Sequence, residues 1–91
     1  MAKVLVSLKV FPKDAEEDLG ALEERIRESL KGKYEVYRVD KEPVAFGLYT
    51  LIVHVISPEN VEGGTSEVER LVGEVDGVSE VEVVRVSRIS F

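Results

Sequence analysis

The chain has 91 residues, 33% of them charged and 44% apolar, which fits one domain over residues 1–91 and is too short for two. It has no cysteine and one histidine, His54, which excludes disulfides, thiolate zinc sites, iron–sulfur clusters and multi-histidine metal sites. Twelve basic and eighteen acidic side chains leave a net charge of −6, which argues against nucleic acid as a direct partner, because neutralising phosphates needs clustered Lys and Arg. Val4, Val6, Leu8 and Val10 alternate with Leu5, Ser7, Lys9 and Phe11, a period of two that predicts strand one, ended by Pro12. Asp14 is placed to cap a helix, with Glu16, Glu17 and Asp18 in its first turn, where the helix dipole favours anions. Ala15, Leu19, Leu22, Ile26 and Leu30 recur at helical spacing, Glu23 and Arg27 form an i,i+4 pair, and Gly32 stops the helix between Lys31 and Lys33.

Tyr34 to Lys41 predicts strand two, bulged by its imperfect alternation and broken at Glu42-Pro43. Leu48 to Ile56 is the most strand-like stretch of the chain. Pro58, Asn60, Gly63 and Gly64 mark a loop, and Thr65 or Ser66 caps a second helix. On that helix Val68, Leu71, Val72 and Val75 share one face until Asp76-Gly77. Val78 to Val86 predicts strand four, with Arg88 to Phe91 as a short tail. The order is β-α-β-β-α-β. Right-handed crossovers then predict an α+β, ferredoxin-like sandwich. Its four antiparallel strands would lie in the order 4-1-3-2, with both helices on one face. The loop between strands two and three sits at the end opposite the C-terminus, about 25 Å away for strands of roughly eight residues.

The charge is uneven: residues 1–45 carry nine basic and ten acidic side chains, residues 46–91 three and eight. The acidic second half suits a basic protein partner or simple solubility. No apolar run approaches the roughly 18 residues of a membrane span, and the N-terminal stretch does not read as a signal peptide, so a cytoplasmic protein is expected. One Asn, no Gln and many Glu, Val, Lys and Arg give a thermophile-like composition.

Little in the chain suggests covalent chemistry. His54 shares a register with Thr50, Ile52 and Ile56, which puts it on the open sheet face as a surface or partner-facing residue. Asp14, Glu16, Glu17 and Asp18 point several ways around a helix start and read as a solvated turn, so no metal is expected. Gly63-Gly64-Thr65-Ser66 lacks the Gly-Lys-Ser/Thr of a phosphate loop and reads as a turn. Phe46-Gly47-Leu48-Tyr49 offers two aromatics without the basic residues of an RNA-recognition strand. The odd segment is Glu42-Pro43-Val44-Ala45-Phe46-Gly47-Leu48, an apolar hairpin loop where a polar one is usual. Either it tucks under the sheet, or it is exposed as a hydrophobic anchor for a protein.

Two motifs carry a family resemblance. One is Val10-x-Pro12-x-Asp14, continuing to Asp18-Leu19-x-Ala21-Leu22-Glu23; the other is the Glu42-to-Leu48 segment. With the Glu-Gly-Gly-Thr loop and the Val-x-Gly-Val stretch that leads into strand four, the whole chain resembles the guanine-nucleotide exchange domains of translation elongation factor 1-beta, above all the short archaeal type. The resemblance implies an exchange factor that binds the GTPase elongation factor 1-alpha and promotes GDP release, without cofactor and without covalent chemistry. It implies partner contacts by Phe46, with Pro43 and Gly47 shaping its loop. The family's penultimate lysine, which points at the magnesium site, is Ser90 here, so that role does not carry over; Arg88 and Phe91 are the candidates at that end. The free protein is expected to be a monomer. The alternative is a small regulatory module that binds a metabolite or dimerises through its sheet.

Overall fold

The alternating runs and the two helical stretches fold in the order β1 (Ala2–Pro12), α1 (Leu19–Leu30), β2 (Glu35–Ala45), β3 (Leu48–Pro58), α2 (Ser66–Gly73) and β4 (Val78–Ser90). The computed structural model describes residues 2–14, 16–45, 47–58 and 66–90. Its one sheet has the order β2-β3-β1-β4, with β1 antiparallel to both β3 and β4, and β2 antiparallel to β3. Read from the other edge this is 4-1-3-2, and the fold is the ferredoxin-like α+β sandwich that the patterning predicts.

The alternation decides which face is buried. Val6, Leu8 and Val10 of β1 and Leu51, Val53 and Val55 of β3 point to one side. There they meet Leu22, Ile26 and Leu30 of α1 and Val68 and Val72 of α2 in a single core. The spacing of the helical residues, one turn apart, puts each set on one stripe of its helix. The other sheet face carries Leu5, Ser7, Lys9, Ile52 and His54 and has no helix against it.

Several boundaries differ from the sequence reading: β3 runs to Pro58 rather than Ile56, α2 ends at Gly73, before Val75, and α1, β2 and β4 differ as well. Helix α1 starts at Leu19, not after Asp14, and its N-cap is Asp18, which accepts from the Ala21 amide at 3.1 Å. The Lys13 amide donates to the Gly77 carbonyl at 2.9 Å and ties the chain after β1 to the turn before β4. Asp14 instead closes a local turn by accepting from the Glu16 amide at 3.0 Å, and the cap falls four residues later, at Asp18. Ala15 and Thr65 lie outside the described residues. Strand β2 does not break at Glu42-Pro43 but runs to Ala45, with Pro43 opposite Tyr49. It is an edge strand, where a missing amide donor is tolerated. Its register shifts at Val36/Arg38, as the imperfect alternation suggested, and again at Pro43/Ala45. Strand β4 absorbs the expected tail, because β1 starts at Ala2 and offers Ser90 a partner. This second edge strand is also irregular, shifting register opposite Ser7/Leu8 and Phe11/Pro12.

Gly77 is required where β4 begins. Its φ is +99°, and a β-carbon there would lie 2.7 Å from Glu17 Oε1 and 3.0 Å from Arg25 Nη1. Arg25 uses that Nη1 to donate to Glu17 Oε1 and to the Asp76 carbonyl. Glycine lets the turn close around this guanidinium.

At the opposite end of the sheet Tyr34, a buried residue just before β2, donates its hydroxyl to Glu67 Oε1 at 2.6 Å and ties the approach to that strand to α2. Burial first, and then the hydrogen bond to Glu67 and its charge, push the phenol up to about 12. The phenol of an unfolded chain titrates near 10. The native state therefore holds this proton more tightly, and the resulting stability is complete below about pH 10. It is lost as pH rises from about 10 to about 12. A melting temperature that falls over this window, with a shallower fall in Tyr34→Phe, is the expected result. Equal slopes for the two proteins would refute it.

Candidate functional site

Strands β2 and β3 reach beyond the rest of the sheet. Pairing of β1 with β3 stops at Val10 opposite Leu51, whereas β2 and β3 pair on through Glu42–Thr50, Pro43–Tyr49 and Ala45–Leu48. The last part of the hairpin is thus a two-stranded ribbon. Only residues 46 and 47 separate Ala45 from Leu48, and Gly47 supplies a φ of +69° in open space, so its role is backbone conformation.

The ribbon is apolar and in water. Pro43, Val44, Ala45, Gly47, Leu48 and Tyr49 are all exposed. Val44 is 49% exposed, Leu48 42% and Tyr49 43%. Of the two alternatives for this segment, tucking under the sheet is ruled out for these residues. The Lys41 ammonium sits 5.6 Å from the Tyr49 ring centroid, where it covers one face of the ring. Phe46 lies outside the described residues. Val44, Leu48 and Tyr49 were not singled out from the sequence as contact residues. Their signal was present in the unbroken apolar run from Pro43 to Tyr49.

The other candidate residues stand at the far end. Arg88 is exposed on β4 opposite Val4, and Ser90 pairs with Ala2. Phe91 lies outside the described residues. At this end a shallow cavity of about 280 Å³ is lined by Lys3, Lys33, Tyr34, Glu35, Ile56 and Ser57, with Gly32. Eleven residues of β3 separate the two ends, about 35 Å at roughly 3.3 Å per residue and more than the 25 Å expected from shorter strands. The structure therefore groups Pro43 and Gly47 at one pole and Arg88 at the other, and does not bring them together. The molecule's longest dimension is 41 Å.

His54 lies on the open face, as its register predicts, but it is not a free surface side chain. Ser7 Oγ is 2.7 Å from its Nδ1, and Asp40 Oδ2 is 3.1 Å from its Nε2. Arg38 Nε donates to the other Asp40 oxygen at 2.8 Å. Arg38, and to a lesser degree the hydrogen bond with His54, hold the Asp40 carboxyl below its usual range. Ser, His and Asp side chains in sequence resemble a hydrolytic triad by composition. Ser7 is 2% exposed and sits between two hydrogen-bonded strands, so no substrate carbonyl reaches its hydroxyl.

The acids near α1 are individually engaged: Asp14 and Asp18 accept from backbone amides, and Glu17 pairs with Arg25. Among the described residues no three carboxylate or imidazole groups are gathered where they could hold a metal ion. Nor is any helix among them long and apolar enough to cross a membrane. Gly63 and Gly64 lie outside the described residues.

The chain is similar to known proteins over nearly its whole length. The family model described as "EF-1 guanine nucleotide exchange domain" matches residues 5–89. Elongation factor 1-beta of Staphylothermus marinus is 51% identical over 90 residues, which cover 99% of this chain and all of the relative. Elongation factor 1-beta of Hyperthermus butylicus is 49% identical, covering 99% and 98%. Among solved structures, the C-terminal domain of the MgtC protein from Mycobacterium tuberculosis superposes with a TM-score of 0.57 at 15% identity, over 91% of this chain and 85% of that one. That likeness is one of fold alone.

Proposed function

This chain belongs to the EF-1 guanine nucleotide exchange domain family, and from that membership we propose that it releases GDP from elongation factor 1-alpha so that GTP can load. The observation that carries the reading is the exposed apolar ribbon at the end of β2 and β3. An isolated soluble domain has little reason to keep Val44, Leu48 and Tyr49 in water, and aromatic and aliphatic groups at a protruding tip are what a protein interface uses.

Exchange is a coupling between two ligands of one GTPase. A factor that binds the nucleotide-free form more tightly than the loaded form must weaken nucleotide binding by the same factor. The phosphate and magnesium contacts are the natural target, since the ion is the largest local charge in such a site. In this reading Pro43, Phe46 and Gly47 anchor one end of the domain on the GTPase. Arg88, at the opposite end of the sheet, and Phe91 reach its nucleotide end. That separation suits a GTPase of more than one domain. No bond is made or broken, so the domain acts as a binding catalyst rather than through covalent chemistry. It would work as a single unit over residues 1–91, as a monomer when free, in the cytoplasm beside the ribosome.

The direct test is stopped-flow release of a fluorescent GDP from elongation factor 1-alpha of the same source, chased with excess GTP. The expected result is a release rate that rises with added protein and saturates. No acceleration over a range of magnesium concentrations, with both proteins folded, would overturn the reading.

A further inference from the structure

The ribbon that carries the docking tip has no β1 partner for the first three residues of β3, Leu48, Tyr49 and Thr50. Two-stranded ribbons twist more freely than a backed sheet, so something must set where this one points. The open face supplies two ties. Lys9 Nζ on β1 reaches Glu42 Oε1 on β2 at 3.5 Å. One row below, His54 on β3 is held on one side by Ser7 of β1 and on the other by Asp40 of β2. Strands β1 and β2 are not neighbours, because β3 lies between them. Both ties therefore span three strands; one ends on β2 at Asp40, just short of the ribbon, and the other at Glu42, the ribbon's first β2 residue. Thr50 Oγ1, 1% exposed, adds a contact to the Glu42 carbonyl at 3.4 Å where the ribbon leaves the sheet.

We propose that Lys9 and the Ser7–His54–Asp40 row are positioning elements, which brace the β2–β3 ribbon across the open face and aim its apolar tip at the partner. The inference rests on the exchange reading for its functional consequence, but the brace is a property of the free protein. The Lys9 and His54 side chains are each 22% exposed, whereas their β2 partners Glu42 and Asp40 are 52% and 39% exposed, so each tie is shielded on one side only. Arg38, by contrast, pairs with Asp40 along the same strand and spans nothing.

The experiment uses the full chain with Asp40→Asn and Glu42→Gln combined, which removes the β2 end of both ties while keeping side-chain size. Residual dipolar couplings of the ribbon amides, measured against those of β1 and β4, report its orientation. In the double variant they should change at Lys41 to Thr50 and stay fixed in the rest of the sheet. In the exchange assay the concentration for half-maximal acceleration should rise about threefold, the size expected for losing partly exposed pairs, with the maximal rate unchanged. Glu42→Asp, which keeps the carboxylate, should restore much of both when combined with native Asp40. Unchanged couplings would overturn the brace whatever the exchange assay shows. Changed couplings with normal half-saturation would overturn its role in aiming the tip. If the native protein failed to accelerate release, the exchange reading would fall, and the couplings alone would decide whether the ribbon is braced.

Discussion

Replacing Phe46 with alanine is expected to raise the concentration of protein needed for half-maximal GDP release by about tenfold to thirtyfold, corresponding to roughly 1.4–2 kcal/mol of lost interface energy. The melting temperature should stay where it is. The physical grounds lie in the residues on either side. Ala45, Gly47 and Leu48 are exposed, and the ribbon they belong to projects past the end of β1. Aromatic anchors carry most of an interface's energy, and apolar groups beside them serve to exclude water once a partner closes on them. Val44, Leu48 and Tyr49 are exposed on the same ribbon and should each matter less than Phe46. A folded Phe46→Ala protein with unimpaired exchange would remove this residue from the interface and shift attention to Tyr49.

The largest effect on stability should come from the middle of α1. Ile26 is fully buried, one turn from Leu22 on one side and from Leu30 on the other, and all three belong to the single core. Truncating it to alanine removes apolar atoms and leaves a cavity under a helix whose ends are fixed, by Asp18 at the start and by the Tyr34 and Lys33 amides bonded to Leu30 at the finish. The expected cost is about 3 kcal/mol within a usual range of roughly 2–5. For a domain of this size that lowers the melting temperature by roughly 12–24 °C. Urea unfolding should show a lower midpoint with an unchanged slope, since the surface exposed on unfolding hardly changes. A loss below about 1 kcal/mol would mean that the core collapses around the gap, with the sheet and helices far less rigidly packed than they look.

Most of the architecture was legible in the chain because hydrophobic period carries it. The alternation in β1 and β3 and the helical spacing from Leu19 to Leu30 point to Val6, Leu8, Val10, Leu51, Val53, Val55, Leu22, Ile26 and Leu30, all in the core; Tyr49, in the same register as Leu51 and Val53, is instead exposed on the ribbon. What periodicity could not reveal were boundaries set by contacts distant in sequence. The sequence pattern places the cap at Asp14; the Lys13 amide instead bonds to Gly77, more than sixty residues on, Asp14 closes a local turn, and Asp18 caps α1. Pro43 reads as a strand breaker until the strand is known to be an edge. For the candidate site, the unusual apolar hairpin was visible as composition, and the structure adds that it overhangs and is exposed. The partners of His54 were hidden for a simple reason. Ser7 and Asp40 lie 47 and 14 residues away, and only the register between three strands brings them to one imidazole.

The irregular register of both outer strands has a consequence for a chain so rich in strand. Tyr37 on β2 and Val84 and Val86 on β4 are large exposed apolar side chains on the two rims of the sheet. A long flat rim of that kind would template edge-to-edge association and, at high concentration, fibrils. Two register shifts in β2 and two opposite β1 in β4 break each rim into short pieces. Pro43 removes one donor as well, and the net charge of −6 makes copies repel. The same bulges that make the strands hard to delimit from sequence let the protein accumulate in a crowded cell without feeding aggregation.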